Sequence, residues 1–355
     1  MFFLCLIVLT FNVFALDQLD IQFTPKNQKI INFKKKYFLK TKKIYHKHKK
    51  AKAFLYLNEE AIKVEVSTTG ELPKHWARRE KSYDIKLLKG KTYKGLKQFK
   101  LIKGSDKHFF VESFAYDLAK ELNLITPRYD FVELCSNKSE CGLYFFREKE
   151  TKDFFERRLL RGSVFYKPRI GLNKYLNKEE TIYESQYRNG FQNYNKAKDL
   201  VYFYKGIGSK VSYSGFTDFL KTGKHLDKNK YLKWFLIQWH FGSFHASEMD
   251  NRSWIFNDES LKYEPYLYDV LLGSIQSSKK SSIEHFIKND RFLLKSIDVQ
   301  EIKKISKTIR DKMMTFDVEK WISKYKGHMS QSDLKFLYIL RDKWNRNLKI
   351  IKSSK

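Results

Sequence analysis

The sequence predicts an α+β protein of two lobes, with an antiparallel sheet in the first lobe and mainly helices in the second. Two observations support this prediction. Between residues 54 and 150, apolar residues mostly alternate with polar ones, as they do in half-buried strands. From residue 151 to residue 355, the longest apolar patterns have helical spacing. A chain of 355 residues is long enough to form two such lobes.

Four segments of the first lobe are predicted as strands because their apolar residues have a period of two. They are Phe54–Leu57, Ile62–Val66, Tyr83–Leu87 and Phe99–Ile102. A helix is expected next, at about Phe110–Leu122, because Phe114, Leu118 and Leu122 recur every four residues. The first lobe therefore has one helix inserted before its last strands.

A hairpin is predicted after this helix. The segments Tyr129–Leu134 and Leu143–Phe146 are rich in strand-forming residues, and the residues between them favour a turn. Such a hairpin brings Cys135 and Cys141 within bridging distance. The two cysteines form either a disulfide or two free thiols, and two ligands alone make a zinc site unfavourable.

The second lobe is predicted from one apolar helix and two amphipathic helices, with two short strands between them. The helices are Tyr231–Phe244, Asp298–Met314 and Ser332–Ile350, and the strands are Ser253–Phe256 and Tyr266–Val270. A β-rich lobe with one inserted helix, followed by a helical lobe, is the layout of protein-kinase-like folds.

The N-terminus has the pattern of an export signal. Residues Phe2–Phe14 are almost wholly apolar, and Val13-Phe14-Ala15 places small residues at the −3 and −1 positions of a cleavage site. Residues 1–15 are therefore predicted to be a signal peptide; the alternative is a short N-terminal anchor. Export to the periplasm, cell envelope or extracellular space favours the disulfide. No transmembrane helix is expected after the signal is removed.

Residues 16–53 are predicted to form a basic N-terminal arm. Residues 34–52 contain ten lysines and no acidic residue, and the whole chain has a net charge of +30. The segment is either an anion-binding arm or a solvated basic edge strand or linker. The charge suits an anionic partner. Nucleic acid is disfavoured as that partner for two reasons. The chain is expected to be exported, and it has no compact nucleic-acid recognition motif such as a zinc finger.

Several short motifs, in their order and spacing, resemble the CotH family of atypical kinases, named for spore coat protein H. The resemblance covers roughly residues 65–275. The motifs are Gly70–Trp76, Lys81–Leu87, Thr126–Glu133, Gly142–Glu148 and Phe244–Asn251, with Asp269 beyond them.

This resemblance implies a two-lobed kinase-like fold and transfer of a phosphoryl group from ATP, with Mg or Mn, to a protein hydroxyl. In that reaction Lys86 and Glu148 are expected to contact the nucleotide, and Asn251 and Asp269 to hold the metal. Three of these residues also have a simpler interpretation. Lys86 suits an exposed strand position, Glu148 suits a salt bridge with a lysine, and Asp269 suits a helix or turn cap.

The chain departs from the family at the catalytic loop. Active members carry an aspartate shortly before the asparagine, and His245 stands nearest that place here. Asp250 lies directly beside Asn251. Since histidine can act as a base near neutral pH, the candidate catalytic residues are His245 and Asp250. Two hypotheses follow: an exported kinase acting on a protein substrate, or a non-catalytic relative that binds an acidic envelope polymer or a partner protein.

Overall fold

The structure is a computed structural model of the chain, and its described part is α+β, as predicted. It contains eleven strands and eight α-helices in that part. The described residues are 16–41, 49–57, 59–70, 75–77, 80–103, 109–137, 141–160, 164–169, 181–184, 225–243, 253–257, 259–268, 270–272 and 298–353.

Seven strands form a closed barrel in the order β1-β2-β3-β4-β5-β7-β6. All neighbouring strands are antiparallel except β1 and β6, which run parallel and close the barrel. The strands are β1 (Asp17–Gln22), β2 (Ala51–Leu57), β3 (Glu60–Thr68), β4 (Tyr83–Leu87), β5 (Gln98–Lys103), β6 (Tyr129–Ser136) and β7 (Cys141–Glu148).

Closure of the barrel corrects the predicted antiparallel sheet, which starts at residue 54 in the sequence analysis. The observed sheet begins at Asp17, because Leu19 and Ile21 of β1 are fully buried in the barrel interior. The segment predicted as an arm thus contributes a barrel strand. It also contains two helices, α1 (Pro25–Ile31) and α2 (Phe33–Thr41). Residues 42–48 of the lysine-rich stretch lie outside the described residues.

The local elements between residues 51 and 148 agree with the sequence pattern. The four predicted strands correspond to β2–β5, and the inserted helix α3 spans Phe109–Glu121. The hairpin is formed by β6 and β7, in which Cys135 and Cys141 are directly opposite each other. Their disulfide is present, with the two Cα atoms 4.0 Å apart. The disulfide prediction is therefore confirmed.

A second, four-stranded sheet has the order β11-β10-β8-β9. Its strands are β8 (Val164–Arg169), β9 (Thr181–Glu184), β10 (Ser253–Asn257) and β11 (Lys262–Tyr266). The remaining helices are α4 (Lys152–Glu156), α5 (Lys228–His240), α6 (Val299–Thr315), α7 (Val318–Tyr325) and α8 (Gln331–Ser353). The predicted strand at Tyr266–Val270 is displaced, since β11 ends at Tyr266.

Helix α3 packs against the outside of the barrel and joins it to the rest of the protein. Its buried residues share one hydrophobic core with β6 and β7 and with the later helices α5–α8. Phe110 of α3, for example, contacts the rings of Trp321 and Trp344. A separate core fills the barrel interior. Elements from both halves of the chain therefore meet around α3.

Burial of His240 makes the stability of the protein depend on pH. Its Nε2 atom lies 2.8 Å from Ser306 Oγ, and burial, followed by the charge of Arg310, lowers the pKa of His240 to about 3. The unfolded chain binds this proton below its ordinary pKa of about 6.5, whereas the folded chain does not. We expect this residue to reduce the free energy of unfolding by about 2 kcal/mol between pH 7 and pH 5.

Urea unfolding of wild type and His240→Gln at both pH values measures this contribution. The variant should lose less stability on acidification than the wild type does. Equal losses in the two proteins would contradict a neutral, buried His240.

In the described part of the chain, no helix is both long enough and apolar enough to cross a membrane. Residues 1–15, predicted to be the signal peptide, lie outside that part.

Candidate functional site

Lys86, the predicted phosphate-binding cation, lies in the middle of β4 on the outer face of the barrel. Its neighbours Ile85 and Leu87 are buried in the barrel interior, and successive strand residues point to opposite faces. The Lys86 side chain is exposed. This position fits an exposed strand lysine and leaves the amine accessible to a ligand.

Glu148, the second predicted nucleotide contact, is fully buried at the end of β7. It is opposite Phe99, a residue of the barrel interior, so it lies on the face opposite to Lys86. Its carboxylate accepts a hydrogen bond from Arg158 Nη2 at 2.8 Å and from the Arg128 amide at 2.9 Å, and it also pairs with Arg157. The observed partners are thus arginines rather than a lysine.

These contacts connect the end of the barrel to the segment around α4. Replacing Glu148 by Gln is expected to lower the free energy of unfolding by about 3 kcal/mol, because two arginines lose the charge that compensates them. Chemical denaturation measures the change. Glu121→Gln is the matched control. Glu121 forms an exposed ion pair with Lys312 at 2.8 Å, and its loss should cost less than about 1 kcal/mol. Equal losses would rule out an anchoring role for Glu148.

The other four predicted site residues are outside the described residues: His245, Asp250, Asn251 and Asp269. The structure does describe residues that flank them in the chain. These flanking residues are Ser243, Ser253, Tyr268 and Val270, and all four are buried.

A row of charged residues crosses the outer face of the barrel beside Lys86. Asp84 of β4 is opposite Lys100 of β5, which in turn is opposite Arg147 of β7. Residues opposite each other on neighbouring strands share a face. Lys149 also forms an ion pair with Asp84 at 2.6 Å. The face that carries Lys86 therefore also carries three further cations.

Arg147 is the buried end of this row and connects it to α3. Its Nη1 atom lies 3.5 Å from Oε1 of Glu112, a fully buried residue of α3. Tyr116, one helical turn further along α3, donates a hydrogen bond to the same oxygen. The Arg147 guanidinium also lies 5.9 Å from the ring centroid of Tyr268. The cluster thus gathers α3, β7 and the residue immediately before Asp269.

A further carboxylate, Glu150, lies in the same region. Its Oε1 accepts a hydrogen bond from the Tyr266 hydroxyl at 2.9 Å. The negative charge of Glu150 also helps to raise the pKa of Arg147. Tyr266 also stacks against Tyr268. The end of β11 is therefore tied to the residues that follow β7.

Electrostatics keep this cluster in a defined protonation state. Burial alone would lower the pKa of Arg147, but the adjacent Tyr116 and Glu112 hold it above its ordinary value, so Arg147 remains a cation. Burial and the Glu112 charge raise the pKa of Tyr116, and burial and the Glu150 charge raise that of Tyr266. Both tyrosines are therefore neutral hydrogen-bond donors at neutral pH.

Two donor atoms of Arg147 still have bonding capacity. Within the described residues, neither Nε nor Nη1 of this buried side chain has a hydrogen-bond partner. A buried donor without a partner is unfavourable, and an anionic oxygen would satisfy it. The donor set on this face therefore fits a phosphate group. Among the described residues, no group of three or more His, Cys, Asp or Glu residues is arranged to hold a metal.

A cavity of about 850 Å³ also borders α3. Its lining mixes the cations Lys120, Arg128, Arg158 and Lys230 with the carboxylates Asp117, Asp130 and Glu264. Lys230 pairs with Glu264 at 2.7 Å, and Arg158 pairs with Glu148. This cavity is therefore a weaker candidate for binding an anion than the charged row.

The motif around Gly70 has a structural role in the loop before β4. Gly70 has a φ of +85°, and a Cβ atom there would collide with the His75 ring, so glycine is required. The His75 carbonyl accepts a hydrogen bond from the Ser82 amide at 3.0 Å. Trp76 is buried and contacts Phe38 of α2 edge to face. These motif residues hold the loop against α2.

Sequence reasoning did not identify Glu112 and Arg147. Both have a recognisable signal, since Glu112 interrupts an apolar helical face and Arg147 ends the apolar run Leu143–Phe146. A single charge beside an apolar stripe usually indicates a solvent-facing position. Only the packing of α3 onto β7 brings the two side chains together.

Comparison with known families supplies the last observation. A family model described as CotH kinase protein matches residues 66–331, which is most of the chain. The chain belongs to the CotH kinase protein family. A search of curated proteins finds no matching relative. The match includes the charged row, α3 and all six predicted ligand and catalytic positions, so the resemblance seen in the short motifs is confirmed for CotH as a family.

Proposed function

We propose that this CotH protein is an exported enzyme with a two-lobed, kinase-like fold that transfers a phosphoryl group from ATP to a protein hydroxyl. The observation that carries the proposal is the buried Arg147–Glu112 pair, which joins the inserted helix to the cationic face of the barrel. Kinase catalysis depends on a comparable ion pair between a strand cation and a helix glutamate.

The donors of the cationic face suit the phosphates of a nucleotide. Lys86 and Lys100 present amines on the same face as Arg147. The ion pair with Glu112 of α3 orients the Arg147 guanidinium. Bound ATP and a divalent metal supply the transferable group and neutralise its charge. Asn251 and Asp269 are the residues proposed to hold the metal, and His245 or Asp250 is proposed to accept the proton of the attacking hydroxyl. The apolar run Phe2–Phe14 supports export.

A second candidate is a non-catalytic CotH protein that binds an acidic envelope polymer or a partner protein. Two observations favour it: the net charge of +30, and His245 where active members carry an aspartate. A surface with this charge attracts polyanions regardless of catalysis. The two candidates differ in whether nucleotide and metal bind together and whether phosphate is transferred.

A phosphate-transfer assay on the full chain separates the two. Radiolabelled ATP with Mg or Mn should label the protein itself or added casein, and ATP plus metal should raise the melting temperature more than ATP with a chelator. The binding candidate predicts no label and no metal-dependent shift. It also predicts salt-sensitive binding of polyglutamate, since that attraction is screened. Absence of both label and shift would overturn the enzymatic proposal.

A further inference from the structure

The barrel has a second cationic site at one of its ends, separate from the outer-face row. A cavity of about 580 Å³ lies between α1–α2, residues 80–83 and the disulfide-linked hairpin of β6 and β7. Cavities of this volume hold small molecules. Tyr83 and Tyr144, which belong to the barrel core, form its floor. The cavity is thus the mouth of the barrel, covered on one side by helices.

Three lysines line this cavity: Lys35 and Lys36 from α2, and Lys81 before β4. The lining includes a single carboxylate, Glu80, and it pairs with Lys103. Within the described residues, Lys35 and Lys36 make no ion pair. The charge that faces the cavity is therefore strongly positive, and it is concentrated in a partly enclosed space where solvent screens it less.

Lys81 is the innermost of the three cations. Its side chain is 5% exposed, and burial, followed by the nearby Lys35 charge, lowers its pKa to about 8. A bound anion would offset both effects, because it pairs with the ammonium group and separates the two positive charges. Lys81 thus contributes a buried positive charge to the cavity.

Polar residues of the hairpin also line the cavity. Ser136 and Asn137 belong to the hairpin that the Cys135–Cys141 disulfide closes. The side-chain oxygen of Asn137 accepts a hydrogen bond from the Phe23 backbone amide at 2.8 Å, and the backbone N–H of Asn137 donates to the Ile21 carbonyl at 2.9 Å. Groups that are already fixed lose little entropy when a ligand binds.

We propose that this barrel mouth binds a small molecule that carries a phosphate or an equivalent oxyanion, held by Lys35, Lys36 and Lys81. The site is independent of the proposed phosphoryl-transfer function, since Lys86, Arg147 and Glu112 take no part in it. The enclosed volume selects a small ligand. An extended polyanion would instead spread over exposed lysines elsewhere on the surface.

Isothermal titration calorimetry of the full chain with pyrophosphate tests the site. Lys35→Gln/Lys36→Gln should weaken binding by about tenfold or more, since each lost lysine removes a charge-assisted contact. The control Lys335→Gln/Lys349→Gln removes the same charge from exposed positions on α8 and should leave affinity unchanged. Equal weakening in both variants indicates a diffuse polyanion surface and overturns the proposal, as does the absence of wild-type binding at millimolar pyrophosphate.

The pH dependence isolates Lys81. Sulfate keeps a constant charge between pH 7 and pH 9, and Tyr83, whose pKa is raised to about 12 by burial, stays neutral. Lys35, Lys36 and Glu80 are the other charged groups that line the cavity, and Lys103 and Asp333 interact with Glu80. Wild-type affinity for sulfate should fall as pH rises through 8, because Lys81 loses its charge. Lys81→Arg keeps its charge and should bind sulfate equally at both pH values.

If the affinity of Lys81→Arg for sulfate had the same pH dependence as that of wild type, Lys81 would not be part of the binding site. Melting temperatures of all variants confirm that they are folded. If Lys81→Arg does not fold, the double variant of α2 still decides the proposal, because Lys35 and Lys36 are not buried in the core.

Discussion

Replacing Glu112 by Ala is expected to lower the free energy of unfolding by about 3–5 kcal/mol, because Arg147 then remains as a buried cation without its compensating charge. The loss should exceed that of an ordinary surface carboxylate, since Glu112 is fully buried. Urea denaturation of wild type and variant measures it. Glu121→Ala, on the same helix but exposed, is the control and should change stability by less than about 1 kcal/mol.

The same pair provides a functional test that is separate from stability. Arg147→Lys keeps the positive charge but lacks the Nε donor and the planar geometry. If the cluster positions phosphates, the variant should remain folded and lose most of the thermal shift caused by ATP and metal. A folded Arg147→Lys protein with the full wild-type shift would show that the pair is structural only.

Asp269→Asn is expected to abolish phosphoryl transfer. An amide lacks the negative charge that a carboxylate contributes to a magnesium site, while its size is nearly the same, so the fold should persist. The assay is transfer of radiolabelled phosphate, with the melting temperature without ligand as the folding control. A folded Asp269→Asn protein with wild-type transfer would remove Asp269 from the metal site.

The catalytic base is tested in the same assay. If His245 takes the place of the usual aspartate, His245→Ala should reduce turnover by about 10²–10⁴-fold and leave nucleotide affinity nearly unchanged. Asp250→Ala then has a smaller effect. The opposite ranking would assign the role to Asp250, and wild-type turnover in both variants would exclude both residues.

The sequence predicts those parts of the fold that depend on local patterns. Strands β2–β5, helix α3 and the disulfide hairpin follow from apolar spacing within a few residues, and they match the structure closely. Barrel closure could not be predicted in this way. Strand β1 has only Leu19 and Ile21 as fully buried residues, and its parallel partner β6 lies more than 100 residues away.

In the candidate site, too, local features could be predicted from the sequence and long-range contacts could not. The short motifs identify the family and make Lys86 and Glu148 candidate site residues, because a motif is a local property of the chain. They do not reveal that Lys86 and Glu148 lie on opposite faces, which follows from cross-strand register. The Arg147–Glu112 pair joins two residues that are 35 positions apart in the chain and depends on the packing of a helix against a strand, so no single segment of sequence encodes it.

The parallel pairing of β1 with β6 also determines the order in which the chain can mature. Residues 17–22 have no parallel partner until residue 136 has emerged from the ribosome, so the barrel cannot close during the early part of synthesis. Long-range contacts of this kind slow folding. The finished barrel has no open edge, so it offers no template for strand addition by another molecule.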